Sequence, residues 1–343
     1  MKIKFYLFLL LFCAGNVFTL KAQQVVALQQ SGDARFFNGT DAFRLAYDAA
    51  SSGDTIYLSG GSFLVPDTIA KTVTIFGAGH YPDFTGPTGQ TMLSGNLFLA
   101  TGADNSYFEG MRILDRLEFV VNHKIDNLVF RRCRINGTVY SSSSYANTNH
   151  VENALFTECV LANTSSTNTF SNFRNLTLAN CIFTGQVNNV YYGTIANCIQ
   201  LHPTHTLIYS SNNTVVKNCI STTPTPFGGA TSNLTFLNNV FFNFSEHNFG
   251  NHVESNNYFG VTREDFFKDQ EGNIFDYTHD YNLQSPESFL GTDGTQVGIY
   301  GGMHPWKEGS VPMIPHITRK NISHSVDAGG NLKIEVDVSA QEY

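Results

Sequence analysis

The residues best suited to acid–base chemistry are the segment His202-Pro-Thr-His205 and the nearby Tyr209. Histidine titrates close to neutral pH and a tyrosine hydroxyl can hand on a proton, so such a set could serve a calcium-free polysaccharide lyase as base and acid. Two histidines in a polar loop are more often plain surface residues. The expected catalytic set is therefore empty, with His202, His205 and Tyr209 the candidates if the chain is an enzyme after all. Tyr191 and Tyr192 form a second pair. Aromatic rings stack on sugar faces, although they also fill cores and coat turns. These two are the expected glycan contacts.

Other groups have the right residue types and the wrong arrangement. Glu246, His247, His252 and Glu254 resemble metal ligands, but no helix places them at i, i+4 spacing. Glu264, Asp265, Asp269, Glu271, Asp276 and Asp280 lack the glycine-marked alternation of a calcium loop and read as a solvated exit segment. No metal and no cofactor is expected. Gly77-Ala-Gly79 and Gly298 to Gly302 are turns, because neither opens a helix after a strand. Between Asn127 and Gly260 there is no aspartate, and the only acids are Glu152, Glu158, Glu246 and Glu254. A calcium-bridged uronate or a hydrolytic carboxylate pair needs more than that.

The elements that position these residues follow from a repeat. Asn127-LVFRRC-Arg134, Asn153-ALFTEC-Val160 and Asn175-LTLANC-Ile182 share one frame with YGTIANCI ending at Ile199, NTVVKNCI ending at Ile220 and NLTFLNNV ending at Val240. Asn105-SYFEGM-Arg112 precedes them and Asn251-HVESNN-Tyr258 follows. A period of about twenty residues means stacked units that cannot bury an apolar face alone. Apolar residues alternate within each unit, as at Leu128 and Phe130, Leu176 and Leu178, and Leu234 and Phe236, so the units are strands. One short strand per interval with long polar connections is expected, with Phe156 and Ile195 in the same buried columns.

The residues before the cysteine column, Arg132, Glu158, Asn180, Asn197, Asn218, Asn238 and Asn256, mark a bend, because asparagine tolerates a left-handed backbone and stacked asparagines can bond to one another. Arg132 and Glu158 are expected to pair. Cys133, Cys159, Cys181, Cys198 and Cys219 are an odd set, and stacked Cβ atoms lie too far apart for disulfides, so they should be buried free thiols.

The chain has 343 residues, 42% hydrophobic and 14% charged, with a formal net charge of -8. That composition excludes disorder through charge repulsion, and the missing basic runs argue against nucleic acid or an anionic membrane as partner. Residues 1–22 read as a signal peptide: Lys2 and Lys4, an apolar stretch from Phe5, and Ala22 before the cut. A secreted or cell-surface protein without a transmembrane span is expected after cleavage. Residues 23–310 form the repeat domain. A helix from Asp41 to Ala50 should cap its open end, with Ala42, Leu45, Ala46 and Ala49 on one face. Residues 311–343 form an appendage in which Pro312 and Pro315 interrupt pairing and Asn331 to Ser339 makes one strand.

The order of cap helix, GDTIYL, a glycine-rich turn and KTVTIFGAG resembles the entry to the pectin-lyase-like superfamily. The exit from Tyr281 to Trp306 is similar to that of uncharacterised secreted Bacteroidetes β-helix proteins. The resemblance implies an all-β chain: a single-stranded right-handed parallel β-helix with a short N-terminal cap helix and a C-terminal strand appendage. It implies little about chemistry, since that fold hosts lyases, hydrolases and scaffolds. The favoured expectation is a non-catalytic scaffold that binds a polysaccharide or cell-surface glycan through Asn-, Ser- and Thr-rich faces; the alternative is a polysaccharide lyase or glycoside hydrolase with an atypical site.

Overall fold

The computed structural model describes residues 24–142, 150–163, 168–223, 225–242, 249–264 and 266–340. The expected signal peptide at residues 1–22, and Glu246, His247 and Asp265, lie outside the described residues. The chain forms an all-β parallel solenoid of about 9 turns. Each full coil contributes three short strands, where the sequence led us to expect one. The coil containing Val129–Arg131 continues through Arg134–Ile135 and Val139–Ser141. Equivalent strands stack in register into three sheets, called here first, second and third.

Parity explains the interior. In the first sheet Phe108, Phe130 and Phe156 point inward and their rings stack nearly parallel, 4.5 and 4.9 Å apart. Leu178, Ile195, Val216 and Phe236 continue this row. Every residue of the expected columns is buried, Leu128, Leu176 and Leu234 included. Each buried phenylalanine stabilises the fold by about 2–3 kcal/mol through area removed from water.

Two columns of left-handed residues bound the first sheet. Before it lie Asn105, Asn127, Asn153, Asn175, Asn213 and Asn233, all at positive φ. These asparagines bond along the stack: Asn127 Nδ2 donates to Asn105 Oδ1, Asn175 to Asn153, and Asn233 to Asn213. After the sheet comes the expected bend column from Arg132 to Asn256, likewise at positive φ. Its asparagines do not form the expected ladder. Asn180, Asn218 and Asn238 reach outward to a C-terminal strap.

That strap is the main departure from expectation. Parallel coils end at Tyr258–Val261, well short of the expected domain boundary at residue 310. From there the chain covers the outer face of the second sheet. The residues after Cys159, Cys181, Cys198 and Cys219, namely Val160, Ile182, Ile199 and Ile220, point out of the coil and pack with Phe266, Phe275, Tyr281, Val297, Ile299 and Trp306. The second sheet is thus buried on both faces. The segment from 264 to 280 is a covering layer, not a solvated exit loop. Phe266, Phe267 and Phe275 face inward while Glu264, Asp269, Glu271 and Asp276 stay exposed. Next the strap runs back down the bend column. Asn238 Nδ2 donates to Leu290 O, Thr292 N donates to Asn218 Oδ1, and Asn180 Nδ2 donates to both Ile299 O and Gly301 O. Arg132 Nη1 donates to Val311 O, and Met313 N to Glu109 Oε1. Gly110 occupies the same column at φ 75°, where an added Cβ would lie 2.1 Å from the Pro312 ring.

Helix Ala42–Ala49 closes the N-terminal end, burying Ala42, Phe43, Ala46 and Tyr47. Leu45, expected on that face, is exposed and Phe43 takes its place. A hairpin, Val25–Gln30 with Asp33–Asn38, pairs antiparallel with Thr55–Leu58 and covers that edge of the first sheet. The appendage is also a hairpin rather than one strand on a foreign edge: Ile334–Ser339 pairs with His316–Ile322. Ile334, Val336 and Val338 remain exposed on it.

Candidate functional site

Among the described residues the outer face of the third sheet, unlike that of the second, carries exposed side chains, although Ser171 on it is buried. Its outward row runs Phe98, Glu118, Tyr140, Ser171, Asn188, Tyr209 and Gly228, one residue per coil. Tyr140 and Tyr209 are exposed to 36% and 40%. They stand three coils apart, roughly 14 Å at the usual strand spacing. Tyr140 escaped the sequence reading, although the alternation in Gly137-Thr-Val-Tyr140 places it outward once Val139 is inside.

Tyr209 and His205 line one shallow depression of about 420 Å³ with Asn168, Gln186, Asn188 and Thr206. A hydrogen-bonded chain crosses its floor: Thr206 Oγ1 donates to Gln186 Oε1, and Gln186 Nε2 to Asn168 Oδ1. His202 is not part of the lining. Its Nδ1 accepts N–H bonds from Thr204 and His205 at 3.1 and 2.8 Å, and its ring stacks on His205 at 4.0 Å. Burial, then the neighbouring His205, pushes its pKa down to about 4. At neutral pH His202 is a neutral staple for its turn.

Tyr191 and Tyr192 sit at the edge of the same sheet, where the chain bends into the first. Tyr191 follows Arg174 in register. The Arg174 guanidinium lies 4.9 Å from the Tyr192 ring centroid, and the two tyrosines meet edge to face at 6.0 Å. Tyr192 has φ 58° in the column that six other coils fill with asparagine. A bulky residue there is strained by about 1–2 kcal/mol. Its ring is half exposed all the same.

The carboxylates near this face are engaged. Glu118 pairs with Arg116 at 3.0 Å, and Glu152 with Arg174 at 3.0 Å. Glu158 is buried against Arg132 and Arg131. His252 caps the last coil, its Nδ1 accepting from Leu234 N and its ring edge-on to Phe227. Among the described residues no three His, Cys, Asp or Glu side chains converge as metal ligands. The cysteines are free and buried in one column. Cys181 N donates to Cys198 Sγ and Cys198 N to Cys219 Sγ, and Asn239 and Asn257 continue the column. The chain matches no known protein-family model, and no curated protein is significantly similar to it. What the face offers is stacking surface and neutral hydrogen-bonding groups.

Proposed function

We propose that this chain is a secreted or cell-surface β-helix scaffold that binds a polysaccharide or cell-surface glycan through the outer face of its third sheet. The observation that carries this reading is the exposed set Tyr140, Tyr192 and Tyr209, set among Asn, Gln, Ser and Thr on a flat face whose acids are already paired. Sugar rings stack on tyrosines and bond to neutral amides and hydroxyls. The strained, exposed Tyr192 supports the reading, because strain of that kind is retained where it serves a site. Export rests on the leader-like residues 1–22. Kinship with the pectin-lyase-like superfamily, and with Bacteroidetes β-helix proteins, rests on the entry and exit motifs.

Immobilised plant, algal and host polysaccharides provide the test. The full chain should be retained by at least one of them. Tyr140→Ala, Tyr192→Ala and Tyr209→Ala should each weaken retention about fivefold, the equivalent of about 1 kcal/mol for a lost stack. Unchanged retention in all three variants would refute the face assignment.

A second reading, an atypical polysaccharide lyase or glycoside hydrolase, draws on one observation: His205 and Tyr209 share a depression. In that reading His205 is the base and Tyr209 the acid. Turnover of any polysaccharide that is lost in His205→Gln and Tyr209→Phe would favour it.

A further inference from the structure

On the outer face of the second sheet the row Val160, Ile182, Ile199, Ile220 and Val240 is aliphatic and sealed by the covering layer. Two coils break the pattern. Arg112 and Arg134 are register partners there, half-buried and pointing the same way. Among the described residues neither has a carboxylate within ion-pair distance. Arg134 Nε donates to Asn136 Oδ1, and its guanidinium lies 4.7 Å from the Tyr277 ring centroid. The same tyrosine touches His80: Tyr277 Oη lies 3.2 Å from His80 Nδ1 and donates to His80 O at 3.0 Å. His80 is fully buried. Its Nε2 and the Arg112 Nε are both buried without a protein partner.

Two like charges on adjacent coils repel, and a buried N–H or ring nitrogen left unpaired costs about 1–3 kcal/mol. Both costs fall if an oxyanion is bound, since guanidinium groups form charge-assisted, often bidentate, bonds to planar or tetrahedral oxyanions. We propose that Arg112, Arg134 and His80 form a binding site for a compact oxyanion: a sulfate, a phosphate or a carboxylate group. The site lies on a different sheet from the glycan face and stands independently of it.

The arrangement links binding to protons. His80 meets Tyr81 beside it, Tyr277 of the covering layer and Gln90, whose Nε2 donates to His80 O, and it feels the charges of Arg134 and Arg112 from the second sheet. Asp276 and His279 of the covering layer act on each other and on Arg134 and Tyr281. Asp276 is turned to Thr278, accepting from its N and Oγ1. Without an anion, burial first, then Arg134 and Arg112, keep the imidazole neutral. A bound oxyanion offsets the arginine charges and gives a protonated Nε2–H an acceptor. Affinity therefore strengthens as pH falls from 7 to 5.

Titration calorimetry of the full chain tests this with inorganic sulfate, inorganic phosphate and galacturonate, against chloride at matched ionic strength. The expected result is saturable binding of at least one oxyanion, tighter at pH 5 than at pH 7. In Arg112→Gln, a change that keeps much of the side-chain volume at this half-buried position, affinity falls at least about tenfold, as loss of a charge-assisted bond requires. Tighter binding of galacturonate assigns the site to an acidic sugar, and tighter binding of sulfate or phosphate to a free ion. No saturable binding at either pH, or equal affinity in Arg112→Gln, overturns the proposal.

Discussion

Arg132 Nε donates to Glu158 Oε2 across 2.9 Å, one coil apart, with both side chains 1% exposed. These are the two residues of the bend column that are not asparagine at its middle coils, and they hold φ 49° and 52°. Glu158 Oε1 also accepts from Arg131 Nε and Nη2, while Arg132 lies 3.7 Å from Glu109. The pair therefore replaces two asparagine contacts to the strap with one charged cluster beneath Val311 to Met313. Removing one partner strands the other. Glu158→Gln should destabilise the fold by about 3–5 kcal/mol, and the double change Arg132→Asn with Glu158→Asn by clearly less. Denaturant titration of the two variants against the wild type checks this; equal losses in the single and double variants would contradict it.

The cysteine column makes a chemical prediction. Burial raises the pKa of Cys133, Cys159, Cys181 and Cys198 well above the free-thiol value. Thiolate is the reactive form, so these groups should resist alkylation in the native state and react together on unfolding. Thiol counting under denaturing, non-reducing conditions should find all five from Cys133 to Cys219. A count of one would mean two disulfides.

Stability should fall in acid. Burial and then the charges of Arg134 and Arg112 push His80 down to about 3, and burial and His205 push His202 to about 4. Both folded pKa values lie below the unfolded value near 6.5. Above that pH both states are neutral and neither histidine matters. As pH drops from 6.5 the unfolded chain takes up protons that the folded chain refuses, so stability declines until pH passes the folded values. His80 alone accounts for about 3 kcal/mol by pH 4. His80→Gln should flatten the dependence of Tm on pH between 6.5 and 4. A slope unchanged from the wild type would remove His80 from the explanation.

Much of this architecture was legible in the residues. The Asn-to-Cys frame carried the stacking, the strand assignment, the inward columns and the thiol ladder, because parity and period act locally. The strap was not legible as such, since Leu290 to Met313 forms almost no regular strands and its partners lie 50 to 200 residues away. One local signal did point to it. Val160, Ile182, Ile199 and Ile220 follow inward cysteines, so they must face out, and an outward aliphatic row needs a cover. The functional candidates divided in the same way. Tyr192 and Tyr209 are exposed side chains, while His202 is consumed by its own turn, which no spacing rule could reveal.

The hairpin at 316–339 should be dispensable for folding. Ile322, Ile334, Val336 and Val338 on it remain exposed, and among the described residues Met313 makes the last hydrogen bond from the strap to the coils; only His316, Ile317 and Lys320 face the coils, across a depression they line with Tyr57 and Phe76. Ending the chain after Ile314 should cost less than about 1 kcal/mol, as for a hairpin that is itself marginal. Gly110→Ala, in contrast, drives a methyl into Pro312 and should destabilise the far end of the strap by about 1–3 kcal/mol. Comparing the two Tm values checks both statements; a larger loss from the truncation would mean that the hairpin, not the strap, holds the C-terminus.

The central functional claim is that neutral groups on the third sheet bind glycan without cutting it. Calorimetry with the best-retained polysaccharide, at low and at high salt, combined with an assay of unsaturated products and reducing ends on the same samples, tests it most directly. The expected result is an affinity that changes little with salt, because no ionised group is needed, falls in Tyr192→Ala and Tyr209→Ala, and comes with no product. Steady product formation that disappears in His205→Gln or Tyr209→Phe would contradict the claim and make this chain an enzyme.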